Sequence, residues 1–191
     1  MKTRKRIILA ITGASGAIYA LRTMEALRDL HYEIHLIISQ IGAQVVAQET
    51  NLAIHDLHNK VDYNYSHEDL TASVASGSFQ TDGMLVVPCS IKTLSGIANS
   101  YSENLIQRAA DVCLKEGRLL LLAVRETPLH SGHLRLMAHA AASGAIIYPL
   151  APAFYNHPQT IADLVDATVG RMLARVGIEN SLYEPWDKRE S

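Results

Sequence analysis

Five nearly continuous apolar runs of strand length constrain this chain more than any other feature: Arg6–Thr12, Ile34–Ser39, Met84–Pro88, Leu119–Arg125 and Ala145–Pro149. A strand with one face in water alternates apolar and polar residues, whereas one covered on both faces is apolar throughout, as parallel strands are. Segments with helical spacing lie between the runs, near 17–30, 42–50, 93–116 (in two pieces), 131–143 and 160–176. Alternating strands and helices predict a doubly wound parallel α/β sheet in three layers, with ligands bound beyond the carboxyl ends of the strands. The segment Asn51–Gln80 is polar and turn-rich, and its length marks it as a candidate functional loop. With 191 residues the chain reads as one domain, 1–191, whose tail 180–191 carries the only tryptophan, Trp186.

Charge and cysteine usage narrow the function classes. A net charge of −2 gives no reason to expect nucleic acid or an acidic membrane surface. No apolar run approaches the roughly 20 residues of a membrane span. The basic MKTRKR runs straight into strand-like residues rather than the apolar core of a signal peptide. Cys89 and Cys113 offer no disulfide framework and fit a reducing compartment, so a cytoplasmic location is expected.

The stretch Met84–Leu129 carries the densest chemistry. In MLVVPCSIKTLSGIA the apolar run stops at Pro88, and Ser90, Ile91, Lys92 and Thr93 follow at the mouth of a helix. A cation, two hydroxyls and free backbone N–H groups then share one spot, which suits an anionic ligand. The first turn, Gly13-Ala14-Ser15-Gly16, reads as a second site of this kind. Its spacing is not G-x-G-x-x-G, and the second strand ends at Ser39 rather than at an acidic residue that would hold a ribose diol. NAD is therefore disfavoured, and a mononucleotide phosphate or a flavin suits the pattern. A glycine turn that merely joins strand to helix is the plain alternative.

Other positions leave two readings open. On the helix expected at 102–116, Leu105, Ile106, Ala109, Val112 and Cys113 form a core stripe. Arg108, Asp111 and Lys115 fall within about 60° of one another. They make either a solvated face with Asp111 paired to Lys115, or a contact lending cations to a neighbouring subunit's site. Gly117 caps this helix. Arg125 and Glu126 end a strand, where a carboxylate can exchange protons with a phosphate or simply form an ion pair. His130 and His133 have near-metal spacing but no third ligand close by, so no metal is expected. In PAFYNHP two prolines fix a turn that either presents Phe154 or Tyr155 to a ligand or tucks the rings into the core. Thr160 and Asp163 begin the last helix as a capping box, and Arg171 sits at the edge of its apolar stripe.

The segments GASGAIYALR, ASGSFQTDGMLVVPCSIKTLSGIA, NLIQRAADVCLKE, RETPLHSGHLRLM and PAFYNHPQTIADLV closely resemble the flavin prenyltransferases of the UbiX/Pad type, from about residue 6 to 178. The resemblance implies a flavodoxin/Rossmann-like fold, and an enzyme that joins the dimethylallyl group of dimethylallyl monophosphate to N5 and C6 of reduced FMN. The prenylated FMN would serve a UbiD-type decarboxylase, and the enzyme would need no metal and assemble as a homo-oligomer, commonly a dodecamer. Gly13, Ala14, Ser15, Ser39, the Ser90–Thr93 turn and Arg125 would contact FMN. Tyr155 and Arg171 would hold the prenyl phosphate, assisted by Arg108 and Lys115, at least one of these from an adjacent subunit. Glu49 would manage protons with Ser15, Glu126 would exchange a proton with the departing phosphate, and Trp186 would help to close the prenyl pocket.

Two departures from the family pattern stand out: Gly117 in place of an arginine, and Leu150 in place of a proline in the turn that positions Tyr155. Two other readings share the architecture. FMN-dependent cysteine decarboxylases typically carry a P-A-S-A-N-T-like turn and a histidine after the second strand; here the turn reads P-C-S-I-K-T and the strand leads into Gln40 and Gly42. A non-catalytic flavin carrier would not need Glu49, Arg125, Glu126 and Tyr155 together.

Overall fold

The computed structural model describes residues 4–185. Six strands form a single parallel sheet: β1 (Arg6–Ile11), β2 (Glu33–Ile38), β3 (Tyr63–Ser66), β4 (Gly83–Cys89), β5 (Leu120–Val124) and β6 (Ile146–Ile147). Their order across the sheet is β3-β2-β1-β4-β5-β6, every neighbouring pair running parallel. The chain winds outward from β1 to β3, then crosses back to start the other half at β4. The reversal leaves a crevice between the carboxyl ends of β1 and β4, where an open α/β sheet receives its ligand.

The strands were legible because they are covered twice. Ile7, Leu9 and Ile11 of β1 point to one side, packing with Met24 and Leu27 of helix α1 (Ala17–Asp29) and with Val169, Met172 and Leu173 of α7 (Ile161–Arg175). Helix α2 (Gln40–Thr50) adds Val46 to that layer. Ile8 and Ala10 point to the other side, against Leu94 and Ile97 of α4 (Ile91–Ala98) and Leu105, Ile106 and Ala109 of α5 (Leu105–Lys115). Period-2 side-chain alternation thus supplies both faces of the sheet. Truncating any of these fully buried leucines to alanine costs about 2–5 kcal/mol, enough to threaten the fold.

Several expectations are corrected. Asn51–Gln80 is not one loop: it holds the short helix α3 (Ile54–His58), edge strand β3 and a 3₁₀ turn at Ser73–Ala75. The sheet therefore has six strands rather than five. The third apolar run does not end at Pro88, since β4 continues to Cys89 through a cis Val87–Pro88 bond. The last run is regular only over Ile146–Ile147. The helix expected from residue 102 begins at Leu105, with Asn104 capping it through Gln107 N–H. Gly117 does end α5, at φ +64°, with Arg118 N–H reaching back to the Cys113 carbonyl. Helix α6 (Ser131–Ala142) rests on the α4 side, Ala140 being its buried residue.

Candidate active site

The crevice is framed by the turns that leave β1 and β4, and a buried threonine joins them. The Thr12 hydroxyl donates to the Pro88 carbonyl at 2.7 Å and accepts from Ser90 N–H at 2.8 Å. Both turns are thereby locked at one separation.

Beside Ser90 lies a cavity of ≈ 240 Å³ lined by Gly13, Ser39, Ile41, Ser90, Lys92 and Thr93, with Asn104 and Gln107 behind. Two helices open toward it. Ser39 caps α2, its hydroxyl accepting from Gly42 N–H at 3.0 Å, and Ser90 caps α4, accepting from Thr93 N–H at 3.3 Å. Aligned helix amides, hydroxyls and the exposed Lys92 form the donor set that a phosphate requires. Close approach is needed at Gly13, where a Cβ would fall 2.4 Å from Ile41 Cγ2. These residues fit the phosphate end of FMN.

The first turn behaves differently from expectation. Gly16, at φ +111°, turns the chain into α1, but the freed amides are already taken. Gly16 N–H and Ala17 N–H both donate to one carboxylate oxygen of Glu49, at 2.9 and 2.8 Å. The anion at this helix start is therefore the protein's own, and the second helix start that opens onto the cavity beside Ser90 is that of α2 at Ser39. Burial opposes ionisation of Glu49. Hydrogen bonds from the Ser15 hydroxyl and the two amides, with the charge of Arg125, outweigh it and hold the carboxyl below its ordinary range. Ser15, Glu49 and Arg125 thus form one charged group at the crevice.

Arg125 follows β5, its N–H held by the Cys89 carbonyl at 3.2 Å. Glu126 turns back to accept from Thr127 N–H at 3.0 Å, ahead of a cis Thr127–Pro128 bond. No ion pair joins Arg125 to Glu126 among the described residues, so the ion-pair reading of these two fails. Leu150 N–H bonds the Val124 carbonyl, which carries the chain from β6 to the same rim.

From there the proline-framed turn and α7 enclose a cavity of ≈ 270 Å³ containing Tyr148, Tyr155, Thr168, Arg171 and Tyr183. Tyr155 and Arg171 are thus brought together, whereas Phe154 projects into solvent at 67% exposure. Tyr148 donates to the Thr168 carbonyl at 3.3 Å; burial raises its pKa and the Arg171 charge moderates the rise. The capping box at Thr160 and Asp163 forms and fixes the start of α7.

Arg108 and Lys115 do not join this cavity within the chain. Arg108 Nε donates to the Ala75 carbonyl at 3.2 Å and its guanidinium pairs with Asp111 at 3.3 Å, while Lys115 pairs with Glu116 at 3.2 Å. The Asp111–Lys115 pair expected from i,i+4 spacing is replaced by these two. Lys115 is the last residue of α5 and lines neither this cavity nor the one beside Ser90. The His130 and His133 rings lie 3.6 Å apart between centroids, and among the described residues no group of three metal-ligating side chains forms. Trp186 lies outside the described residues. Sequence reasoning missed Thr12, Tyr148, Thr168 and Tyr183; the turn glycines pointed to the neighbourhood of Thr12, but nothing local marked the others.

Comparison with known proteins extends this geometry. A profile described as Flavoprotein matches residues 1–173. The "Flavin prenyltransferase UbiX" of Escherichia coli (strain K12) is 50% identical over 185 residues, covering 95% of this chain and 98% of its own. A crystal structure of AnUbiX in complex with FMN and dimethylallyl pyrophosphate superposes with a TM-score of 0.96 at 43% identity, covering 98% of this chain and 100% of that one. A dodecameric FMN-dependent UbiX-like decarboxylase from Escherichia coli O157:H7 gives a TM-score of 0.92 at 41% identity, over 95% and 98% of the two chains.

Proposed function

The chain belongs to the Flavoprotein family, and within it to the flavin prenyltransferases of the UbiX type; from that premise we propose how its residues carry out the transfer. The reaction joins a dimethylallyl group, delivered as its phosphate ester, to reduced FMN and releases phosphate. The observation that carries the reading is the presence of two unlike cavities, one at the turns after β1 and β4 and the other beside the turn that follows β6. One offers helix amides, Lys92 and hydroxyls for a mononucleotide; the other offers Arg171 and Tyr155 beside aromatic walls.

Reduced FMN supplies the nucleophilic ring atoms N5 and C6. The chain's task is to bind, orient and exclude water. Ser39, Ser90, Lys92 and Thr93 hold the nucleotide phosphate, with Ile91 behind them, and Gly13, Ala14 and Ser15 let the ring approach the backbone. Arg125 lies alongside, neutralising charge. Arg171 and Tyr155 take the ester phosphate, whose departure leaves an electron-poor allylic group, so positive charge fixed beforehand at the leaving oxygens lowers the barrier. Tyr148 and Tyr183 keep water from that group. Glu49, held ionised by Ser15 and the α1 amides, accepts the flavin's proton through the Ser15 hydroxyl, and Glu126 gives a proton to the departing phosphate.

The same reading assigns Arg108 and Lys115 to a neighbouring copy's site. Neither lines this chain's own Arg171 cavity, and a closed assembly such as a dodecamer would bring them to another. The product would pass to a UbiD-type decarboxylase, and two free buried thiols, Cys89 and Cys113, suit a cytoplasmic setting. Among the described residues no helix is long and apolar enough to cross a membrane. The test is anaerobic incubation with reduced FMN and dimethylallyl monophosphate: the flavin should gain one C5H8 unit, and an unchanged flavin mass refutes the reading.

A further inference from the structure

The turn that follows edge strand β3 reaches the nucleotide-phosphate cavity. His67, the first residue after β3, lines the cavity beside Ser90 together with Ser39, Lys92 and Thr93. A second cavity, of ≈ 530 Å³, meets the first at Ser39, Gln40 and His67, which line both. The histidine is half-buried, and its backbone is held from two sides. Its carbonyl accepts from Leu105 N–H at 2.8 Å, at the first residue of α5. Two positions earlier, the Tyr65 hydroxyl is hydrogen-bonded to buried His35 at 2.8 Å, which ties β3 to β2. His35 and His55 have carboxylates at 2.9 and 3.1 Å, whereas His67 enters no ion pair among the described residues.

Few charges surround the phosphate cavity. A phosphate monoester carries about −1.5 to −2 near neutral pH. Against it stand one full cation, Lys92, and the partial positive ends of α2 and α4. Lys92 is exposed, so water and salt weaken its pull, and a half-buried ring is screened less. The other titratable side chains lining the two cavities are His58 of α3, Tyr65 of β3 and Glu68 next to His67. Helices α2 and α5 present the neutral Gln40, Asn104 and Gln107. Glu68 lines only the larger cavity, so among the described residues no carboxylate shares the phosphate cavity with the ring.

We propose that His67 is a titrating ligand of the FMN phosphate: its imidazolium binds the dianion, so that FMN affinity falls as pH rises past neutrality. The inference rests on the FMN-binding reading above and deepens it by assigning a further residue to the phosphate. Imidazole is the side chain that ordinarily changes charge between about pH 5 and 8, and the second ionisation of a phosphate monoester lies near pH 6. A dianion beside the ring favours the charged ring. Above neutrality, binding therefore draws a proton from solution onto His67, whereas a flavin without a phosphate draws none.

The experiment measures Kd for FMN and for riboflavin, which lacks the phosphate, by quenching of flavin fluorescence between about pH 6.5 and 8.5 in the wild type, His67→Gln and His67→Arg. Wild-type affinity for FMN should fall about 10-fold across that range, the scale of a lost charge-assisted contact, while riboflavin affinity stays level. His67→Gln should bind FMN about 10-fold more weakly at the acid end and show little further change with pH. His67→Arg, a permanent cation, should hold FMN tightly at the alkaline end and also lose the slope. Calorimetry in two buffers of different ionisation enthalpy should detect proton uptake on FMN binding at about pH 7.5 in the wild type and not in His67→Gln. A wild-type FMN affinity level across this range, or a His67→Gln profile matching the wild type, overturns the assignment and leaves FMN binding and prenyl transfer standing. Equal weakening toward FMN and riboflavin in His67→Gln, unrelieved in His67→Arg, marks a structural role and overturns it as well. A wild type that binds FMN no more tightly than riboflavin overturns the phosphate cavity itself, and the role of His67 with it.

Discussion

The turns after β1 and β4 resemble each other in sequence, and the fold puts them to opposite uses. Each is a short run of small and hydroxyl residues leading into a helix. At α4 the capping group is a neutral hydroxyl, Ser90, and the helix start opens onto a cavity with Lys92 at its edge. At α1 the group is a full carboxylate, Glu49, delivered from the far end of α2. One helix start is left for an external anion, while the other is filled by an internal anion whose affinity for its proton is tuned by what surrounds it. A helix N-terminus therefore identifies an anion site only after the chain's own acids have been placed.

The contrast breaks most sharply at Glu49. Glu49→Gln keeps a hydrogen-bonding side chain but removes the charge, and should lower the rate of prenylated-flavin formation by about 10²–10³-fold, the scale of a lost general base. FMN affinity, followed by quenching of flavin fluorescence, should change several-fold at most. A rate near wild type would return Glu49 to a purely capping role and make the two turns equivalent. At the other turn, Ser90→Ala should weaken FMN binding about 10-fold, through loss of a hydroxyl on the phosphate, and lower stability to urea by about 1 kcal/mol through the lost cap. Equal loss of FMN affinity in Ser15→Ala would erase the distinction.

The smallest effect sharpens the comparison through pH. Glu49 has its folded pKa below the unfolded value, so the folded state binds fewer protons in that range. Its contribution to stability is complete above the ordinary glutamate pKa and disappears as pH falls through the lowered folded value. Because the side chain is largely exposed, the effect is small. Urea midpoints measured across the acid range should fall slightly less steeply with decreasing pH in Glu49→Gln than in the wild type, and the two should differ by a constant amount at neutral pH. Ser90→Ala should run parallel to the wild type throughout.

What could be read from the amino acids alone followed from burial. The core strands announced themselves because both faces are covered, so every residue of Leu120–Val124 is apolar. Edge strand β3 did not, because Tyr63–Ser66 reads YNYS and is mostly exposed; its pairing is set by β2 beside it, where His35 stacks on Tyr63 and bonds Tyr65 at 2.8 Å. Caps were legible at Thr160 and Asp163, which lie three residues apart. The Glu49 cap was not, since its partners are more than thirty positions away in the chain. The resemblance to a family supplied Glu49, whereas the proline-held turn and the edge of the helix stripe had already marked Tyr155 and Arg171, but only the fold brings these two to one cavity. Arg108 and Lys115 show the same limit: helical spacing put both near Asp111, but Lys115 pairs with its neighbour Glu116, and Arg108 adds to Asp111 a tertiary contact with the Ala75 carbonyl.

The Thr12 hydroxyl, clasped between Pro88 and Ser90, has a mechanical consequence. It carries the β1–β4 seam, already paired along Ile7–Ala10 and Gly83–Val86, past the strand ends into the two turns. A ligand seated across that seam meets a surface of fixed width, so binding need not spend part of its free energy drawing the halves together. The span between the two turns is then set before any ligand arrives, by the strand ladder and by one hydroxyl clasped beyond its end.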